Sequence, residues 1–374
     1  MKTNPLQQLE ALGQSIWLDY IKRDMFATGK LKKLIVEDSL RGMTSNPSIF
    51  EKAIGESHDY DQDIKKLTDQ GKNVFQIYEA LTQKDVADAA DEFRELYDQT
   101  GGRDGFVSLE VNPHLAHDTN GTIEEARRLW VALNRPNVLI KVPATKEGLP
   151  AIKQLITEGI NVNVTLLFGL PRYREVAEAY IDGIEARLAQ GKTVTSVASV
   201  ASFFLSRIDV LIDPLLEKQV TLHPEMINYA KQLQGQMAIA SATMAYEIFN
   251  ELFNSVRFKN LVEKGARVQR LLWASTSTKN PDFSDIKYVE AIIAPQTVNT
   301  LPLETIIAYR DHGDPKVRIG LDIEKTLWYF ETLSKLGINI DQMTQQLENE
   351  GVDKFTQSYD KLIETLKKSC EKSQ

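Results

Sequence analysis

The stretch Asn137–Thr145, "NVLIKVPAT", contains a short apolar run, residues 138–142, with Lys141 inside it. Pro136 and Pro143 bracket the run, and proline interrupts helices, so the run is predicted to be a short buried strand. Lysine is seldom buried, because removing an ammonium group from water is costly unless the group is paired or neutral. A lysine at this place therefore needs a specific explanation.

Similar short runs recur along the chain and alternate with longer amphipathic segments, such as 76–98 and 171–190. The predicted strands are 15–20, 42–46, 105–111, 138–142, 161–168, 194–204, 270–276 and 289–295. Strands separated by helices indicate a parallel sheet, and eight such strands close a barrel. The alternative is a doubly wound open sheet, but the sequence contains neither GxGxxG nor GxxxxGK[ST].

We therefore predict an α/β protein with one (β/α)8 TIM barrel that carries extra C-terminal helices. The barrel is expected at about residues 13–320. A helical extension is expected at about 321–374, where the alternation gives way to amphipathic helical patterns. Together they would make residues 1–374 a single domain.

Composition limits the class of partner. The chain has 374 residues, 44 basic and 52 acidic, and a net charge of −8, which argues against nucleic-acid binding. Its single cysteine, Cys370, suits a reducing compartment. The first twenty residues lack the apolar core of a signal peptide, and no apolar run reaches membrane-spanning length. A cytoplasmic protein without membrane contact is predicted, either a monomer or a homodimer.

In barrels of this kind, active sites lie at the C-terminal ends of the strands. Polar or distinctive side chains occur at or near the end of seven predicted strands: Asp19, Asn46, Glu110, Lys141, Thr165, Ser202, Phe204, Arg207, Ser275, Ser277 and Lys279. Each has an ordinary explanation by itself, such as a helix cap for Asp19 or a turn for Asn46. Together they predict an acid, an amide, a second acid, a lysine and a hydroxyl around one mouth.

Two interpretations of Lys141 remain open at this point. In the first, burial makes the free amine available, and the amine attacks a ketone to form a Schiff base that eases cleavage of the adjacent C–C bond. This chemistry needs proton-transfer groups, for which Asp19 and Glu110 are the candidates. In the second, Lys141 is paired with Glu110 and merely fills polar space inside the barrel.

Several motifs, in this order, resemble the transaldolase family between residues 16 and 312: "WLDY", "GMTSNPSIF", "VSLEVNP", "VLIKVPAT", "NVNVTLLF", "SFFLSRID" and "LLWASTSTKNP". The resemblance implies a barrel enzyme without metal or organic cofactor. It also implies sugar-phosphate substrates: a dihydroxyacetone unit would move from sedoheptulose 7-phosphate to glyceraldehyde 3-phosphate. The products would be erythrose 4-phosphate and fructose 6-phosphate, in the non-oxidative pentose phosphate pathway.

The resemblance also implies residue roles. Lys141 matches the Schiff-base lysine and Asp19 the general acid–base, while Glu110 and Thr165 match the pair that positions the catalytic water. The remaining matches concern substrate binding: Asn46, Asn163 and Ser202 for the dihydroxyacetone unit, and Arg207, Ser277 and Lys279 for the phosphate.

Three positions qualify this transfer of roles. Lys279 occupies a place where many members of the family have arginine, which puts the strength of phosphate binding in question. Alignment around "ASTSTKNP" leaves Ser275 as an alternative to Ser277. Phe204 occupies the place where the related fructose-6-phosphate aldolases have tyrosine, and a phenyl ring cannot activate water, so Phe204 favours transfer over free aldol cleavage.

Two other functions remain as alternatives. A metal-dependent aldolase would need a ligand cluster, for which His114, His117 and Asp118 are the candidates, although a polar loop or helix start explains them better. A non-enzymatic sugar-phosphate-binding barrel would keep Arg207 and Lys279 but would not need the acids and the lysine together.

Overall fold

A closed barrel of eight parallel strands forms the centre of the computed structural model, which describes residues 4–222 and 224–372. Each strand pairs with its neighbours in sequence, and β1 also pairs with β8, which closes the barrel. The strands are β1 Gln14–Asp19, β2 Leu40–Thr44, β3 Phe106–Glu110, β4 Val138–Pro143, β5 Val162–Leu167, β6 Ser199–Phe204, β7 Arg270–Ala274 and β8 Thr297–Leu301. The predicted TIM barrel is confirmed.

Seven predicted strands overlap the observed ones, but the predicted eighth strand, 289–295, is wrong. That stretch holds the end of a helix, Lys287–Ala291, and the loop that follows it, and its apolar side chains are buried there. The observed β8, "TVNTL", is polar in three of its five residues, and these side chains bond to β1, to β2 and to the loop after β7. Thr297 Oγ1 accepts a hydrogen bond from Gln14 Nε2 at 3.0 Å, and Asn299 Oδ1 accepts one from Thr276 Oγ1 at 2.9 Å.

The described residues contain eighteen α-helices and two short 3-10 helices, Pro113–Leu115 and Pro224–Met226. The α-helices are α1 Pro5–Ala11, α2 Asp24–Ala27, α3 Lys30–Glu37, α4 Pro47–Gly55, α5 Asp61–Asp69, α6 Val74–Glu92, α7 Arg94–Gln99, α8 Thr119–Leu133, α9 Gly148–Glu158, α10 Leu170–Ala189, α11 Ser206–Leu222, α12 Ile227–Leu233, α13 Met237–Phe253, α14 Val256–Val262, α15 Lys287–Ala291, α16 Leu303–His312, α17 Ile323–Lys335 and α18 Ile340–Lys372. None of the described helices is both long and apolar enough to span a membrane.

Two tryptophans, Trp17 on β1 and Trp273 on β7, are fully buried in the core. The ring of Trp17 explains why residue 42 on β2 is a glycine, since a Cβ atom at Gly42 would lie 2.6 Å from Trp17 Cε2. The close approach of these two strands therefore depends on the absence of a side chain at Gly42.

The helical extension predicted from the sequence is present as α17 and α18, while residues 373–374 lie outside the described part of the chain. Helix α18 packs along α4: the hydroxyls of Ser358 and Ser48 are 2.7 Å apart, and Lys361 Nζ lies 2.7 Å from Glu51 Oε1. It also lies against the end of β5, where a Cβ atom at Gly351 would be 3.0 Å from Leu166 Cδ2. Because α4 follows β2 directly, α18 crosses the C-terminal face of the barrel.

Candidate active site

Three polar side chains stand at one level of the barrel, on the adjacent strands β3, β4 and β5. Glu110 is in register with Lys141, and Lys141 is in register with Asn163. Lys141 is only 4% exposed, Glu110 is 6% exposed and Asn163 is fully buried. Thr165, also fully buried, lies two residues further along β5. Neighbours in register point to the same side of a sheet, so these residues form one polar layer.

The amine of Lys141 is held near the loop that follows β2. Its Nζ donates a hydrogen bond to the backbone carbonyl of Ser45 at 3.1 Å. The hydroxyl of Ser45 in turn donates to the carbonyl of Ser108 on β3 at 2.7 Å, which fixes the loop. Lys141 is thus anchored by a neutral acceptor, and among the described residues its Nζ forms no salt bridge with a carboxylate.

Asp19, at the end of β1, is held by a hydroxyl chain. Thr44 Oγ1 donates to Asp19 Oδ1 at 2.7 Å and also lies 2.7 Å from Thr300 Oγ1 on β8. Burial raises the pKa of Asp19 above its ordinary value, while the positive charge of Lys141 and the hydrogen bond from Thr44 oppose the rise. A carboxyl group with a raised pKa beside a lysine is suited to accept and return a proton.

Glu110 has the most perturbed environment in the polar layer. Burial raises its pKa to about 7; the charge of Lys141 opposes this rise and that of Asp19 adds to it. Neither carboxylate oxygen of Glu110, nor Oγ1 of Thr165, has a hydrogen-bond partner among the described residues. Buried polar atoms are normally paired, and such exceptions are typical of atoms that bind a ligand or a water molecule.

An amide and two hydroxyls form a connected chain beside Lys141. Asn163 Nδ2 donates to Ser108 Oγ at 3.0 Å, and Ser202 Oγ donates to Asn163 Oδ1 at 2.6 Å. This chain fixes the orientation of the Asn163 amide. Asn46 lies across the mouth, where its Oδ1 caps α4 by accepting a hydrogen bond from the amide of Ile49 at 3.0 Å. Asn46 is therefore a helix cap that also borders the site.

Phe204 and Arg207 continue the site from β6 into α11. The Phe204 ring packs against Phe168, with ring centroids 5.1 Å apart, and Arg207 Cζ lies 5.9 Å from the Phe204 ring centroid. Burial lowers the pKa of Arg207, and the charge of Glu350 on α18 opposes this change. Arg207 thus presents a partly desolvated guanidinium, the group that best matches a phosphate.

The two alternative serines, Ser275 and Ser277, lie in the loop after β7 and have different hydrogen-bond partners. Ser275 adopts the left-handed backbone conformation, with φ of 53°, and its hydroxyl lies 3.1 Å from that of Ser206. Ser277 instead contacts the second basic residue, with its Oγ 2.5 Å from Lys279 Nζ. The hydroxyl that accompanies Lys279 is therefore that of Ser277.

One cavity of about 320 Å³ at the C-terminal face collects most of the predicted side chains. It is lined by Asp19, Asn46, Lys141, Ser202, Phe204, Arg207, Ser275, Ser277 and Lys279. Three of the predicted residues do not line the cavity and are almost fully buried: Glu110, Asn163 and Thr165. Glu110 and Asn163 flank Lys141 in register on the neighbouring strands. The cavity also has lining residues that the sequence analysis missed: Thr44, Lys52, Thr300, Glu304 and Lys354. Thr44 lies inside the quoted motif "GMTSNPSIF", whereas nothing local in the sequence indicates Lys354.

The candidate metal ligands near residue 114 do not converge. His114 Nε2 lies 2.7 Å from Asp360 Oδ1, and His117 Nδ1 lies 3.2 Å from Glu147 Oε2. Asp118 caps α8 by accepting the amide hydrogen of Gly121. Within the described chain, no group of three histidine, cysteine or acidic side chains could hold a metal ion. The polar-loop explanation of these residues is the one the structure supports.

A parallel barrel with a buried lysine near two carboxyl groups, next to a cationic rim, defines the class of lysine-dependent barrel enzymes acting on anionic carbonyl compounds. Comparison with known proteins narrows this class. Residues 16–366 match the transaldolase/fructose-6-phosphate aldolase family, and the chain belongs to this family. The match extends past the motifs and includes most of α18.

Curated relatives resemble the chain over its full length. A transaldolase of Trichodesmium erythraeum is 48% identical over 376 residues, which cover 100% of this chain and 99% of the relative. A transaldolase of Saccharopolyspora erythraea is 44% identical, with 100% of both chains covered. A third transaldolase, of Frankia alni, is 46% identical, with 97% of each chain covered.

Proposed function

We propose that the protein is a transaldolase that moves a dihydroxyacetone unit from sedoheptulose 7-phosphate to glyceraldehyde 3-phosphate. The observation that carries this proposal is Lys141, which is buried on β4 next to Glu110 and whose charge also acts on Asp19. Full-length similarity to transaldolases supports the same activity. The inert binding barrel has no use for this arrangement, since burying a lysine and two acids costs free energy without aiding phosphate binding.

The reaction begins with the amine of Lys141. Its lone pair attacks the ketone of sedoheptulose 7-phosphate, and the resulting carbinolamine loses water to give an iminium ion. We assign the handling of this water to Glu110 and Thr165, because their oxygens are buried and unpaired among the described residues. A carboxyl group with a pKa of about 7 can both donate and accept a proton near neutral pH.

Carbon–carbon cleavage follows from the iminium ion. Asp19 takes the proton of the substrate hydroxyl, the electrons of the broken bond pass into the iminium, and erythrose 4-phosphate leaves. The remaining three-carbon enamine attacks the aldehyde of glyceraldehyde 3-phosphate, and Asp19 returns the proton. Hydrolysis of the new iminium then releases fructose 6-phosphate and the free lysine.

Substrate binding divides between two groups of side chains. We assign Asn46, Asn163 and Ser202 to the hydroxyls of the dihydroxyacetone unit, since all three are near Lys141 or the mouth. We assign Arg207, Ser277 and Lys279 to the phosphate, because two cations and a hydroxyl match its charge and acceptors. Phe204 offers no hydroxyl to bind water beside the intermediate, which favours transfer over free aldol cleavage.

Further properties are proposed with this function. The reaction needs neither a metal nor an organic cofactor, because the iminium of Lys141 supplies the electron sink. A single domain is proposed, with the barrel at about 13–320 and the extension at about 321–374. The single cysteine supports a cytoplasmic location. The protein is proposed to bind no nucleic acid, in keeping with its net charge of −8, and to be either a monomer or a homodimer.

Chemical trapping tests the proposal. Incubation with fructose 6-phosphate and borohydride is expected to inactivate the protein and to add one reduced dihydroxyacetone unit to Lys141, identified by peptide mass. Lys141→Arg should abolish both labelling and transfer, because a guanidinium stays protonated. Exposed Lys146 in the following loop is the internal control. Labelling of Lys146 instead, or substantial transfer by Lys141→Arg, would contradict the mechanism.

A further inference from the structure

The rim of the cavity carries more positive charge than the phosphate assignment uses. Among the described residues, five cationic side chains and two carboxylates line the cavity, in a chain whose net charge is −8. Two of these cations have no role so far: Lys52 on α4 and Lys354 on α18. The cavity thus concentrates positive charge that the rest of the chain lacks.

Among the described residues, the four rim cations other than Lys141 form no salt bridges. Within the described part of the chain, no salt bridge within 4.0 Å joins Lys52, Arg207, Lys279 or Lys354 to a carboxylate. Arg257, on the outside of the barrel, contacts three carboxylates. Clustered cations that form no salt bridge are typical of a site whose counter-charge is a ligand.

These cations also act on one another. The charge of Arg207 is the main cause that lowers the pKa of Lys354, and burial, Lys279 and Lys52 lower it further. Burial is the main cause that lowers the pKa of Lys279; the charges of Arg207 and Lys52 contribute in the same direction, and those of Glu304 and Asp19 oppose. The four groups are therefore close enough to repel, and a bound anion would relieve this repulsion.

Helix α18 holds Lys354 firmly at this place. The next residue, Phe355, is 3% exposed and also lines the cavity. One turn further along, Ser358 meets Ser48 on α4, and Lys361 pairs with Glu51. Lys354 therefore projects from a backbone that is packed against the same helix that carries Lys52.

We infer that Lys354 and Lys52 form the outer part of the phosphate-binding cluster, so that α18 helps the enzyme to select phosphate monoesters over neutral sugars. This inference rests on the proposed function for the identity of the substrate, but the anion site itself is defined by the four cations. Arg207 and Lys279 would hold the phosphate from the barrel side, and the two lysines from the helices that cover the mouth.

The test compares Lys354→Met and Lys52→Met with two matched variants. Lys354→Arg keeps the charge. Lys361→Met removes another lysine of α18, one that contacts α4 through Glu51 but does not line the cavity. Binding of inorganic phosphate is measured by isothermal titration calorimetry. The ratio of kcat/KM for fructose 6-phosphate to that for fructose is measured with glyceraldehyde 3-phosphate as acceptor.

Phosphate affinity and the kcat/KM ratio are each expected to fall roughly three- to tenfold in Lys354→Met and in Lys52→Met, the range for a partly exposed charged contact. Both quantities should be retained in Lys354→Arg and in Lys361→Met. Unchanged phosphate affinity in Lys354→Met, or an equal loss in Lys361→Met, would overturn the inference. Loss of phosphate affinity in a protein whose wild type shows no transfer would refute the proposed function while supporting the anion site.

Discussion

Replacing Glu110 by glutamine should make the protein more stable and less active. The carboxyl group of Glu110 has a pKa of about 7, compared with an ordinary value of 4.5, because it is buried. The folded state therefore binds more protons than the unfolded state between these two values, and stability falls as the pH rises through this range. Glutamine is nearly isosteric with the protonated acid and does not ionise.

The size of the effect follows from the difference in pKa. A shift of about 2.5 pH units corresponds to about 3.4 kcal/mol of unfolding free energy once the pH exceeds both values. The same relation gives a gain for Glu110→Gln of about 0.8 kcal/mol at pH 5 and about 3.3 kcal/mol at pH 8. The gain should thus grow by about 2.5 kcal/mol across this interval.

Urea denaturation of wild type and Glu110→Gln at pH 5 and pH 8, with transfer assays on the same samples, measures this effect. Turnover should fall on the order of a hundredfold, the usual contribution of an acid–base group. Glu92→Gln, at an exposed site on α6, is the control and should give the same unfolding free energy as wild type at both pH values. A gain that is equal at both pH values, or a loss of stability at pH 8, would refute the reasoning.

Two further predictions concern the mouth of the barrel. Asp19→Ala should slow C–C bond cleavage on the order of a hundredfold or more, because Asp19 is assigned as the acceptor of the substrate proton and Thr44 holds its carboxylate in place. Single-turnover kinetics with trapped imine separates this step from imine formation. Rates within a factor of a few of wild type would show that Asp19 is misassigned. Arg207→Ala should raise KM for phosphorylated ketoses about ten- to a hundredfold, in line with the roughly 1.5–3 kcal/mol of a charge-assisted contact. The same substitution should change KM for unphosphorylated fructose much less, and equal losses on both substrates would contradict the phosphate role.

The strands of the barrel were predictable where most of their residues are apolar. β4 and β5 are buried along their whole length, so apolar residues surround Lys141, Asn163 and Thr165 and the runs stand out in the sequence. β8 was missed because Thr297, Asn299 and Thr300 bond across the barrel to partners on or beyond other strands. Whether a polar side chain is satisfied inside a barrel depends on the pairing of strands far apart in the sequence, which a local pattern does not contain.

The candidate site was predictable to the extent that its residues belong to local motifs. Lys141, Asn46 and Arg207 each lie in such a motif and within or shortly after a strand, so strand order alone brings them to one face. The high pKa of Glu110 was not predictable, because it depends on how completely the closed barrel excludes water. Lys354 could not be found either, since it follows the last strand by more than fifty residues and reaches the cavity only through the path of α18.

The position of α18 in the chain bears on the order in which the protein is made. During synthesis, N-terminal parts of a chain emerge and begin to fold first. All eight strands precede α18, so a barrel could close around Lys141 before Lys354 and Phe355 have left the ribosome. A nascent chain at that stage would have its nucleophile in place with the mouth still open to solvent. Covering that mouth then follows closure of the barrel in biogenesis and is completed when α18 docks on α4.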